Sequence, residues 1–170
     1  NAHQLRFSDS RKFGRVYLVE DPAEVVGALG PEPLDDSFTL DEFRARLARR
    51  SGALKPLLLN QGLLAGVGNI YADEALYLAR LHPLRRADSL SEDEVAALYA
   101  AIRRVLADGV AREGASVNWY RKPDGTKGSA QAGLNVYGHA GQPCPRCGTP
   151  ILKTVVGQRG THLCPACQIP

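Results

Sequence analysis

Cys144-Pro-Arg-Cys-Gly-Thr-Pro-Ile-Leu-Lys-Thr-Val-Val-Gly-Gln-Arg-Gly-Thr-His-Leu-Cys-Pro-Ala-Cys167 decides how the C-terminal part of this chain folds. Two Cys-x-x-Cys knuckles stand sixteen residues apart, which is the spacing of a structural zinc site. Each knuckle offers two thiolates from one tight turn, so Cys144, Cys147, Cys164 and Cys167 can close a tetrahedron around one ion. Between the knuckles, Ile151–Val156 and Thr161–Leu163 read as strands, with Gln158-Arg159-Gly-Thr161 in the turn region. So few apolar residues cannot fold without the metal, whose ligation supplies about 10–16 kcal/mol of apparent binding free energy in such modules. Two disulfides and a rubredoxin-like iron site are the competing readings. Arg146, Lys153 and Arg159, without flanking aromatics, argue against a redox centre. His139 and His162 read as surface residues rather than substitute ligands.

Upstream of the knuckles, Asn135–Tyr137 reads as a further short strand. Gly114–Leu134 holds Lys122-Pro-Asp-Gly125, Gly128 and Gly133 and few aliphatic residues, which predicts a long functional loop. Before it, Ser91 and Glu94 form a capping box, and Val95, Leu98, Tyr99, Ile102, Val105 and Leu106 give one helical stripe to about Arg112. Leu64-Ala-Gly-Val-Gly-Asn-Ile70 leads into a helix over Ile70–Leu81, with Asn69 as its cap. That helix is apolar nearly all round except for Asp73, Glu74 and Arg80, which predicts burial. His82-Pro83 ends it. Lys55–Gln61 is a shorter helix with Pro56 in its first turn, and Thr39 and Glu42 form a second capping box ahead of Phe43 and Leu47. Asp21–Pro33 reads as a linker with one helical turn. Leu5–Val19 reads as two strands around a turn at Asp9–Gly14, too short to fold alone and therefore expected to end a larger sheet.

At 170 residues the chain has room for one ordinary domain or two small ones. Its 44% hydrophobic and 23% charged content supports a packed core rather than disorder or a disulfide-dense scaffold. No apolar run is long enough for a membrane helix, and no signal peptide opens the chain. The sequence holds no methionine and starts at Asn1, so it is expected to be a piece of a larger protein or a processed chain. Net charge is +3, but it is unevenly spread. Residues 1–99 carry 12 Lys and Arg against 15 Asp and Glu, whereas residues 100–170 carry 9 against 3. A basic excess beside a metal module reads either as a phosphate-contacting face or as a solvated surface. Three features point to phosphate. Gly66, Gly68 and Asn69 precede a helix N-terminus, where free N–H groups favour an anion. Lys55 adds a cation nearby. Arg159 projects from a rigid hairpin. Each feature alone also has a structural reading: a tight turn with its cap, or a solvated charge.

Five motifs in order carry a resemblance to a known family: Asp9-Ser-Arg-Lys-Phe-Gly14, Leu57-Leu-Leu-Asn-Gln61, Ala65-Gly-Val-Gly-Asn-Ile-Tyr-Ala-Asp-Glu-Ala75, Asn135-Val-Tyr-Gly138, and the cysteine pairs with Gln158-Arg-Gly-Thr161 between them. The chain resembles the C-terminal two thirds of formamidopyrimidine-DNA glycosylase over nearly its whole length. The resemblance implies a mainly α fold: a helix-two-turn-helix DNA-binding module followed by a zinc β-hairpin finger, with a remnant of an N-terminal β-sandwich. Residues 1–20 would be terminal strands of that sandwich. Residues 21–134 would be the helical domain with a lesion-recognition loop at 114–134, and 135–170 the finger with one structural zinc ion.

The family excises oxidised purines by base flipping and cleaves the strand by β,δ-elimination, so the implied partner is damaged double-stranded DNA. A flipped base leaves a hole that a wedge must fill. By resemblance, Arg11 would bond the orphaned base and Phe13 would stack into the kinked step. Lys55 and Asn69 would grip phosphates, and Arg159 would contact phosphate and donate the proton for δ-elimination. The loop's length and Arg11-Lys-Phe13 favour the oxidised-purine branch over the endonuclease VIII branch. The sequence departs from the family at Asn60, where Asp is usual, at His139, where Arg is common, and at Ala115, where a second glycine is usual. The family's N-terminal proline nucleophile, catalytic glutamate and lysine belong to a domain absent from residues 1–170. The chain alone is thus expected to bind DNA without excising a base, as a monomer in the bacterial cytoplasm at the nucleoid. A stand-alone, non-catalytic zinc-dependent nucleic-acid binder is the alternative reading.

Overall fold

Residues 38–111 fold around helices whose apolar stripes meet. The computed structural model describes residues 4, 5, 7, 9, 12–115, 125, 126 and 128–170. In chain order its elements are α1 (Ala23–Val26), α2 (Leu40–Ala48), α3 (Leu54–Leu58), α4 (Asn69–Leu78), α5 (Glu92–Ala111), β1 (Leu152–Val156) and β2 (Arg159–Leu163), with 3-10 turns at Ala87–Ser89 and Ala130–Gly133. The expected mainly α chain with one hairpin is what forms.

The longest stripe makes the longest helix. Ser91 Oγ accepts from Glu94 N while the Glu94 carboxylate accepts from Ser91 N, so the capping box is complete and α5 starts there. Leu98, Ile102 and Val105 of α5 join Ala72, Ala75 and Leu76 of α4, with Phe43 and Leu47 of α2, in one buried cluster. Gly109 lets α5 and α4 come close, because a Cβ there would lie 2.3 Å from the Tyr71 hydroxyl. The other expected capping box is half made. Thr39 Oγ1 accepts from Glu42 N, but the Glu42 carboxylate turns to Arg46 instead.

Two expected helices shift. α3 starts at Leu54, one residue before Lys55, and ends at Leu58. α4 starts at Asn69 itself, with Gly68 as its cap residue, and the Asn69 amide is used elsewhere. α4 ends before His82. Arg80 turns left-handed at φ 58°, and its N–H reaches Tyr77 O while Leu81 N reaches Leu76 O, a Schellman ending.

The hairpin pairs β1 with β2 antiparallel, from Leu152 opposite Leu163 to Val156 opposite Arg159. Gly157 and Gln158 both have positive φ, at 56° and 62°, as the two-residue turn matching strand twist requires. Asn135–Tyr137 is not a strand. Its N–H groups are taken by a buried carboxylate of α4. The expected N-terminal strand pair is also not seen among the described residues. Residues 13–19 form no strand, and Val16 and Leu18 are exposed. A two-stranded ribbon without a sheet to join is marginal at best. At the expected turn between the two strands, the Asp9 carboxylate accepts from Phe13 N and Gly14 N. Among the described residues no helix is long and apolar enough to cross a membrane.

Candidate metal centre and nucleic-acid interface

The four cysteines come together although their knuckles are far apart in sequence. Their sulfur atoms all lie within 4.8 Å of one another, and none is in a disulfide. Zinc–sulfur bonds of about 2.3 Å in a tetrahedron place sulfurs about 3.8 Å apart. Cys147 Sγ stands 3.5 Å from both Cys164 Sγ and Cys167 Sγ, so the set needs almost no movement to hold an ion. The thiols are inequivalent. Hydrogen bonds from Thr149 hold Cys147 down at about 6, while burial and the neighbouring thiols push Cys167 up to about 12. Four thiolates this close need a cation among them. Cys144 and Cys164 form the buried half of the centre, and Cys147 is exposed.

α4 joins this finger to the helical core through polar side chains that sequence reading assigned no task. Asp73 and Glu74 are buried in its second turn. The Glu74 carboxylate accepts from Asn135 N, Asn135 Nδ2, Val136 N and Tyr137 N, at 2.8 to 2.9 Å. Four donors fill a carboxylate's acceptor capacity. The Tyr137 ring then packs on His162, with centroids 4.7 Å apart. Asp73 accepts from His162 N at 2.8 Å and pairs with Lys55 at 2.6 Å.

Lys55 departs from its expected place on a phosphate. Its side chain is fully buried, and its Nζ reaches Asp73 Oδ1, Gly160 O at 2.9 Å and Thr161 Oγ1 at 2.8 Å. Three donors meet three acceptors, so the ammonium has no donor left for a ligand. Burial pushes the Lys55 pKa down and that of Asp73 up, and the ion pair opposes both shifts. A charged pair out of water costs several kcal/mol per ion, which the close Lys55–Asp73 contact and the hydrogen bonds from Lys55 to Gly160 O and Thr161 Oγ1 offset. The Lys55 side chain therefore secures the hairpin turn to the helices.

Asn69 shares that turn. Its Nδ2 donates to the same Gly160 carbonyl at 3.0 Å. Two donors on one carbonyl seat the Arg159–Gly160 segment over the start of α4. The Thr161 hydroxyl donates back to Arg159 O at 3.0 Å. Arg159 itself is exposed, and among the described residues its guanidinium makes no hydrogen bond or ion pair. The turn entering α4 is braced by Gln61, whose amide accepts from Gly66 N and donates to Val67 O. Gly66 has φ 78°, and neither it nor Gly68 has an atom within 4 Å of where a Cβ would point, so the turn entering α4 is open on its outer side. Arg159, Asn69 and the α4 N-terminus are thus brought to one patch. Phe13 stands on the Asp9 turn and is 80% exposed. Arg11 and residues 116–124 and 127 of the expected lesion loop lie outside the described residues. Where that loop leaves and returns, a cavity of about 230 Å³ opens between α4, α5 and residues 130–135, lined among others by Tyr71, Glu74, Arg112 and Asn135.

Residues 29–121 match the family described as "Formamidopyrimidine-DNA glycosylase H2TH domain", and residues 141–169 match "Zinc finger found in FPG and IleRS". With the four clustered thiols, the second match makes the centre a structural zinc site. The formamidopyrimidine-DNA glycosylase of Herpetosiphon aurantiacus is 53% identical over 170 residues, covering 99% of this chain and 62% of its own length. That of Deinococcus radiodurans is 52% identical over 176 residues, with the same coverage of 99% and 62%. The chain therefore spans about three fifths of the length of these curated relatives. The crystal structure of MutM (Fpg) protein from Thermus thermophilus superposes with a TM-score of 0.88 at 49% identity, covering 94% of this chain and 62% of that one. Lactococcus lactis Fpg in complex with DNA containing an abasic site gives 0.80 at 39% identity, covering 88% and 55%.

Proposed function

The chain belongs to the formamidopyrimidine-DNA glycosylase family, and on that premise we propose that residues 1–170 grip damaged duplex DNA for a bifunctional glycosylase that excises oxidised purines and cleaves the abasic strand by β,δ-elimination. The observation that carries this is the Gly160 carbonyl, held by Lys55 and Asn69 together so that Arg159 stands beside the N-terminus of α4. An exposed guanidinium and the N-terminus of a helix are what a phosphodiester binds.

Within this reading Arg159 contacts phosphate and donates the proton for δ-elimination. Asn69 lies beside the same phosphate, and Lys55 acts one step behind, holding the turn that carries Arg159. Phe13 enters the duplex step left open by the flipped base, and Arg11 pairs with the orphaned partner. Residues 114–134 close over the extruded base, above the cavity at their two ends. When bound, zinc holds the shape of the finger and takes no part in the bond-breaking. The whole protein works as a monomer at the nucleoid of a bacterial cytoplasm.

Arg159→Ala tests the interface directly. Fluorescence anisotropy on a duplex carrying an oxidised guanine, across a salt series, should give affinity about tenfold weaker and a salt slope reduced by about one. An unchanged slope and affinity would remove Arg159 from the interface. Borohydride trapping of residues 1–170 on the same duplex should give no covalent adduct. An adduct would place an amine nucleophile inside this sequence.

A further inference from the structure

We propose that the Tyr77 hydroxyl is a fixed hydrogen-bond donor to the zinc-bound Cys144 thiolate and sets how slowly the finger gives up its metal. Tyr77 lies in the last turn of α4, 2% exposed, and its Oη is 3.4 Å from Cys144 Sγ. In a hydroxyl–thiol pair either atom can donate. A zinc ligand is a thiolate with no proton to give, so here the hydroxyl donates.

The ring is clamped in this position. The Arg146 guanidinium sits 4.4 Å from the Tyr77 ring centroid and donates to the Tyr77 carbonyl at 3.2 Å. The Arg146 backbone N–H donates to the same Cys144 sulfur at 3.4 Å. One buried ligand thus takes a bond from outside the finger and one from within it.

Four thiolates around Zn²⁺ leave two net negative charges on the centre. Donors to sulfur draw off part of that charge. A ligand held by fixed donors is also kept in its bound orientation and gives way less readily to a competing ligand. Tyr77 is therefore a positioning and tuning residue of the zinc site, acting from the helix that also carries Asp73 and Glu74. A role in packing alone would leave the sulfur unchanged when only the oxygen is removed.

Tyr77→Phe makes that distinction in the full 170-residue chain. Zinc content is measured first, and a wild-type chain without one zinc would overturn both this inference and the zinc site beneath it. Release of zinc to a chromogenic chelator should then be roughly tenfold faster in Tyr77→Phe than in wild type, as for other groups that support metal ligands. In the cobalt(II)-substituted proteins the sulfur-to-cobalt charge-transfer band should move to lower energy in the variant. Equal release rates with an unmoved band would overturn the proposal. Fluorotyrosine placed at position 77 covers the case in which the phenylalanine variant fails to fold. It keeps the shape, strengthens the donor and should slow release, and no slowing would count equally against the idea.

Discussion

α4 is held on two sides by different physics. Towards α5, Ala72, Ala75 and Leu76 join an apolar cluster with Leu98, Ile102 and Val105. Towards the finger, Asp73 and Glu74 each reach a separate stretch of chain, and Tyr77 reaches a zinc ligand. The apolar side is non-directional, and its stability follows volume and area. The polar side is close to all-or-none. Its buried groups meet specific partners, and removing a partner strands the other in a place water does not reach. The lesson is that one helix can meet its neighbour through non-directional apolar packing on one side while specific polar bonds fix a turn on the other.

The largest expected effect is removal of zinc. Its ligation accounts for about 10–16 kcal/mol in such modules, so chelation should unfold residues 135–170 and abolish duplex binding. The apolar side should survive. Hydrogen exchange should show protection lost in β1 and β2 and kept in the middle of α5. If α5 lost protection in step with the hairpin, the two sides of α4 would not be separable.

Next comes Asp73→Ala, which leaves the Lys55 ammonium buried without a counter-charge and should cost about 3–5 kcal/mol in urea unfolding. The double variant Lys55→Met, Asp73→Leu should recover part of that stability, because a matched apolar pair replaces the ions, although His162 N loses its acceptor. It should still bind DNA more weakly than wild type, since Gly160 O would keep only Asn69. Full stability together with wild-type affinity would show that the ion pair does not position Arg159.

Leu98→Ala probes the other side. It should cost about 2–5 kcal/mol through the cavity it leaves, with zinc content and DNA affinity of the folded protein unchanged. Leu98→Met should cost less than about 1.5 kcal/mol. The smallest effect concerns His82. Its Nδ1 accepts from Leu84 N at 3.1 Å, and burial holds its pKa below the usual 6.5. The folded state resists the proton more than the unfolded state does. Stability is thus fully present above about pH 6.5 and declines as pH falls through the lower folded value. Thermal melts of His82→Gln should show a shallower fall in Tm from pH 7 to pH 5 than wild type. Equal slopes would assign the acid sensitivity to other groups.

The apolar side of α4 was legible in the sequence because its information is local. The α5 stripe, the Ser91–Glu94 box and the cysteine spacing each fall within a short window. The polar side was mostly illegible because its partners lie far apart in the chain. Asn69 reads as a cap until Gly160, ninety-one residues later, takes its amide. Asn135–Tyr137 has the composition of a strand, yet Glu74 claims its N–H groups first. Lys55 reads as a surface cation because lysine is rarely buried. Only the apolar surroundings of Asp73 and Glu74 in a helix otherwise fit for burial could have signalled that long-range partners were needed. The Arg159 hairpin was readable, but its seat was not.

The doubly bonded carbonyl of Gly160 also has a mechanical meaning. A two-stranded ribbon by itself twists and bends easily, so a side chain at its tip would yield under load. Here any pull on Arg159 passes through one peptide unit into Lys55 on α3 and Asn69 on α4. The tip of the finger therefore has the stiffness of two braced helices, and bent DNA pressing on it would meet a rigid strut.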